Sequence, residues 1–237
     1  MAIIHKTTMS PGKLELLGAW LPDRPWYLPT GAEPDLARAG GFRLDDPAGE
    51  VGIEFMVVTD DSGERPIAYH VPLTYRGAPL DGADAALIGT SEHGVLGTRW
   101  VYDGAHDPVL VAELLALFQG RAVPQRQSES DTPDPSVTAR FDGPGLPALL
   151  PAERPEVSDS ARGTDVRVAG PGQARLAVAR VLTPLAPDAG PAGAAGGVTA
   201  GWSAPDGAAH RGVFASLHSP AHANAHDNPD GNAHEDA

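Results

Sequence analysis

The chain has no cysteine. That excludes a disulfide framework, thiolate catalysis and any metal site built on cysteine sulfur. Basic residues are also few: 17 Lys and Arg stand against 31 Asp and Glu, a formal net charge of −14 at pH 7. Nucleic acid demands clustered cations, so it is set aside as a partner. No run of about 18 apolar residues occurs, so no membrane-spanning helix is predicted. The opening residues, MAIIHKTTMSPGK, lack the apolar centre of a secretory signal, and a cytoplasmic location is expected. The phosphate-cradling patterns G-x-x-x-x-G-K-[ST] and G-x-G-x-x-G are missing, as is the nucleophile elbow G-x-S-x-G. Aromatics make only 5% of the chain.

Glycine and proline are abundant instead, at 28 and 24 of 237 residues. Part of the length must therefore be loop. Residues 2–8 read as a short strand, 13–21 as strand or helix, and the proline-rich stretch 22–41 as an ordered loop. The clearest strands follow. VGIEFMVV (51–58) and PIAYHVPLTYR (66–76) alternate around the turn DDSG. Pro72 has no N–H for a sheet ladder, which predicts an edge or bulge there. ALIGTSE (86–92) and GTRWVYD (97–103) complete an antiparallel meander. The period then becomes helical: Asp107 is a good N-cap, Pro108 suits the first helical position, and Gly120 ends the run. Beyond QRQSESDTPDPS (125–136), weaker strands are expected at 137–141, 164–170, 174–182, 198–202 and 211–217.

The stretch from Ser91 to Gly120 packs the most chemistry into the fewest residues. Glu92 and Asp103 are candidate acid/base groups, with His93 or His106 as partner. Turn, strand and cap roles compete with that reading, and Arg99 with Asp103 reads as a surface ion pair. His70, Thr74 and Arg76 share one strand face, which fits either a polar patch for a sugar or a solvated sheet face. Trp20, Trp26 and Tyr27 could stack on a sugar ring or fill a core. His218, His222 and His226 recur every four residues, a spacing that suits Zn²⁺ on a helix. The prolines and glycines around them argue instead for a disordered tail.

Three runs carry a resemblance. HVPLTYRGAPL (70–80), LIGTSEHGVLGTRWVYDGAHDPV (87–109) and AELLALFQGRAVPQ (112–125) resemble the N-terminal cap domain of actinobacterial maltokinases, and the opening MAIIHKTTMSPGKLELLGAWLP fits it too. The resemblance implies a curved antiparallel sheet cradling one main helix, similar to cystatin-like folds. In that family the cap precedes a two-lobed body that phosphorylates maltose with ATP and Mg²⁺. The motifs of that body are missing here, and no catalytic residue carries over.

The expectation is thus an α+β cap-like domain over 1–124, a linker over 125–136, a small β-rich subdomain over 137–217 and a disordered tail over 218–237. Functionally, the reading is a non-catalytic module of α-glucan, maltose or trehalose metabolism. It would need no cofactor and would act through a sugar-kinase or glucan-pathway protein or a weak carbohydrate contact. The alternative is a small sugar- or sugar-phosphate-acting enzyme using Glu92, His93 and Asp103.

Overall fold

The computed structural model describes residues 8–141, 154–168, 174–186 and 193–218. The expected strand at 2–8 falls almost entirely outside them, as does the tail beyond His218. In chain order the elements are β1 (Met9–Ser10), α1 (Lys13–Trp20), β2 (Leu36–Asp45), β3 (Gly52–Asp60), β4 (Ile67–Arg76), β5 (Leu87–His93), β6 (Gly97–Asp103) and α2 (Pro108–Phe118). Then come β7 (Gln125–Arg126), β8 (Thr138–Phe141), β9 (Glu156–Ser160), β10 (Gly163–Val168), β11 (Ala174–Val178), β12 (Gly196–Ser203) and β13 (Ala209–His218).

The expectation of a sheet cradling one main helix is not met. The described residues form one antiparallel sheet of 13 strands with two short helices. Its order is β1-β5-β6-β4-β3-β2-β12-β13-β11-β10-β9, with β7 added to β2 and β8 to β12. The later strands therefore belong to the same sheet as the earlier ones.

β3 shows why two helices are needed. Side chains on a strand point alternately to opposite faces. Ile53, Phe55 and Val57 join a cluster that includes Leu110, Leu114 and Phe118 of α2. Met56 and Val58 join a second cluster with Leu17 and Trp20 of α1. Both faces of β3 are thus covered, and its run from Ile53 to Asp60 is buried throughout. The α2 cluster also takes Val166, Leu176, Trp202 and Phe214, so core residues come from both sides of 125–136. Within that stretch, Gln125 and Arg126 pair with β2, and Gln127 and Ser128 accept from Arg38 at 3.1 Å each.

The first six residues of β2, 36–41, lie inside the stretch read as loop. Its glycines explain the disguise. A Cβ on Gly41 would sit 2.0 Å from the Phe55 carbonyl oxygen, so only glycine lets the strands close there. Gly40 sits at a register shift on β2 and pairs with Trp202 of β12. That single pair joins the two halves of the sheet on one side.

They are joined again on the other side. Tyr69 of β4 pairs with Val181, just beyond β11. The amide of His70 donates to the Arg180 carbonyl at 2.8 Å, and that of Leu182 to the Ala68 carbonyl at 2.8 Å. So β4, β3, β2, β12, β13 and the continuation of β11 form a closed ring. Farther along the same edge of β4, β6 takes over from Leu73 to Arg76. Pro72 lies between these two neighbours. An N–H at position 72 would point to the same edge as that of His70, into the gap, so proline leaves no donor unsatisfied there.

Candidate functional site

The densest set of buried polar groups lies at this junction, where β6, β10, β4 and the chain after β11 meet. Arg180 is the centre, fully buried. Its Nη2 donates to both carboxylate oxygens of Asp103, at 2.8 and 2.6 Å. Its Nε donates to Thr164 Oγ1 at 2.7 Å. Thr164 in turn donates to Asp159 Oδ1 at 2.5 Å. The guanidinium carbon lies 5.0 Å from the ring centroid of Trp26, a cation–π contact in a dry setting. Asp103 also accepts from the Ala105 amide at 3.2 Å, which shapes the turn leading to α2.

His70 is the neighbour of this group. Its Nδ1 is 2.8 Å from the Ala179 carbonyl, so Nδ1 carries the proton and donates. Its ring packs 4.5 Å from Phe214 and 6.0 Å from Phe55. Burial pushes its pKa down to about 3; the Ala179 carbonyl opposes this, Arg180 adds to it, and Asp103 opposes it. The imidazole is neutral at physiological pH.

A second buried charge, Glu54, ties α1 to the sheet. It accepts from Lys13 Nζ at 2.5 Å, Tyr75 Oη at 2.6 Å and Gln127 Nε2 at 2.7 Å. Burial alone would raise its pKa, but Lys13 and these donors outweigh it and hold the carboxyl below its ordinary value.

The predicted site residues are scattered by this arrangement. Glu92 is exposed on β5 and accepts from Thr98 Oγ1 at 2.6 Å. His93 Nδ1 accepts from the amides of Val95 and Leu96, closing the β5–β6 hairpin. Asp103 is at the other end of β6. Glu92 pairs with Thr98, and the five residues from there to Asp103 span roughly 17 Å at strand rise. The three candidates do not converge. Nor is Asp103 the partner of Arg99, whose Nη2 donates instead to the Leu96 carbonyl at 2.5 Å.

His70, Thr74 and Arg76 do share a face, but it is not solvated. His70 and Thr74 are fully buried. Arg76 forms a two-pronged ion pair with Asp107, Nε to Oδ2 and Nη2 to Oδ1 at 2.7 Å each. Asp107 also caps α2 by accepting from the Val109 amide at 3.0 Å. Trp20 and Trp26 are buried in the α1 cluster with centroids 5.7 Å apart. His218 ends β13 with Nε2 2.9 Å from Ser216 Oγ, while His222 and His226 lie outside the described residues. Among the described residues no three His, Asp or Glu side chains are grouped to hold a metal ion. No helix among them is long and apolar enough to cross a membrane.

Sequence reasoning missed Arg180, Thr164 and Glu54. A signal existed for two of them. Arg180 interrupts LAVARVL and Glu54 interrupts VGIEFMVV. A charge inside an apolar strand must be paired when buried, so each position asks for a partner that local sequence cannot name.

These features define an antiparallel sheet protein, helices on both faces, closed by a buried Arg–Asp junction. Residues 20–107 match the model of the maltokinase N-terminal cap domain. The match runs from the last residue of α1 to the cap of α2 and covers well under half of the chain. Asp103 and His70 lie inside it, but their partners Arg180 and Ala179 lie outside.

Proposed function

We propose that this chain works as a cap-like module of maltose, trehalose or α-glucan metabolism. It acts without catalysis of its own, in the cytoplasm, by binding a sugar-kinase or glucan-pathway protein. The observation that carries this reading is the match of residues 20–107 to the maltokinase N-terminal cap domain. In support, the groups best suited to chemistry are engaged elsewhere. Asp103 is held by Arg180, His93 closes a hairpin, and Glu92 bonds its cross-strand neighbour. The enzymatic reading needs these three on one substrate, and their separation tells against it.

The test is affinity purification of the tagged full chain at native expression, with partners identified by mass spectrometry. Recovery of a maltose- or α-glucan-handling enzyme, reproduced with purified components, is the expected result. Turnover of maltose, a maltose phosphate or an α-glucan by the purified chain alone, abolished by Glu92→Gln, would overturn it.

A further inference from the structure

The ring of strands has two thin joints. Between β2 and β12 the joint is one residue pair, Gly40 with Trp202, backed by the apolar packing of Phe42, Trp202 and Phe214. Between β4 and the chain after β11 the joint is also one pair, with two amide hydrogen bonds. This second joint has apolar backing too, from Leu182, Ala68 and Ala179 in the α2 cluster and Tyr69 and Val181 in the α1 cluster. It alone adds a buried ion pair and a histidine, with Arg180 Nη1 and His70 Nε2 buried and bonded to nothing among the described residues. Buried charge contributes little net stability because desolvation offsets most of the attraction. By contrast, β4 meets β3 along nine consecutive pairs, Gly52–Tyr75 to Asp60–Ile67.

We propose that Ala179–Leu185 is a strap that opens from β4 while β3 and β4 stay paired, with Arg180 as its latch. Opening would part His70 from Ala179 and Arg180 and uncover the Phe55 and Phe214 side of the ring. The strap is fastened independently along its other edge. The Ala179 amide donates to the Phe214 carbonyl at 3.0 Å and the Leu185 amide to that of Arg211 at 2.8 Å. It would therefore swing with β13 rather than unravel. This inference stands apart from the proposed function, since it concerns only how the ring is held.

The strand β4 supplies its own control. Amides along a strand point alternately to its two edges. That of His70 faces the strap, so those of Tyr69 and Val71 face β3. Native-state hydrogen exchange on the full chain is expected to show His70 and Leu182 exchanging about ten-fold or more faster than Tyr69 and Val71, as a sub-global opening requires. Arg180→Lys should widen that gap by speeding the first pair alone. Ala68 and Leu182 lie opposite each other across the joint, where Cα atoms are about 5.5 Å apart, within disulfide reach. Oxidising an Ala68→Cys, Leu182→Cys variant is expected to abolish the gap, measured by the remaining amides of His70 and Val71, and reduction to restore it. Equal exchange of His70 and its two neighbours in the natural protein would overturn the proposal. So would a disulfide that slows all amides of β4 alike. The first measurement decides even if a variant fails to fold.

Discussion

The two ends of the β5–β6 hairpin carry similar residues and meet opposite fates. At the turn end, Glu92 and His93 spend their hydrogen bonds on the hairpin itself. At the far end, Asp103 reaches across 77 residues to Arg180. A carboxylate in water keeps its solvation, and its pair with a neighbour is worth little. A carboxylate where three strands meet the chain after β11 has lost its solvation and depends on the guanidinium. The same residue type is decoration in one place and a structural requirement in the other, and the surrounding topology decides which.

That contrast can be broken or sharpened by substitution. Asp103→Asn should have the largest effect, about 3–5 kcal/mol of unfolding free energy in a urea titration, because it strands a buried positive charge. For a domain of ordinary stability that is a large share of the whole. Next comes His70. Its folded pKa of about 3 lies below the unfolded value near 6.5. Between those values the unfolded chain binds the extra proton, so stability is complete above pH 6.5 and falls as pH drops toward 3, by about 1.4 kcal/mol per unit. His70→Gln should flatten that slope relative to the natural protein; an unchanged slope would show that other groups carry it. Asp107→Ala removes both a cap and the partner of Arg76, for about 2 kcal/mol. Glu92→Gln should change stability by no more than about 0.5 kcal/mol. A loss comparable to that of Asp103→Asn would erase the distinction between the two ends.

How much of this was legible in the residues follows the range of the interactions. The hairpin from Ile53 to Arg76 and the helix capped by Asp107 are written locally, through alternation and cap chemistry, and the structure has them within a residue or two. β2 was hidden because its defining feature, a backbone approach that only Gly41 permits, looks in sequence like a turn. β9, EVSDS, has no apolar periodicity of its own and exists because β10 offers it an edge. The expectation of one helix under the sheet failed at Lys13–Trp20, where a short apolar run left strand and helix undecided. Its partners, Met56 and Val58, are on the face of β3 opposite Ile53, Phe55 and Val57. Of the candidate site, Asp103 and His70 could be nominated from sequence, but not their use. Arg180 and Ala179 are more than 70 residues away, and nothing near Asp103 announces them.

A double-mutant cycle on Asp103 and Arg180 tests the central claim most directly. Asp103→Leu, Arg180→Met and the pair together would be compared by urea unfolding of the full chain. The account predicts that each single change costs about 3–5 kcal/mol and that the double change costs less than either, because removing both charges removes the desolvation problem with them. Additive losses would contradict it, since they would mean that the two residues act separately and that no buried pair holds the ring closed.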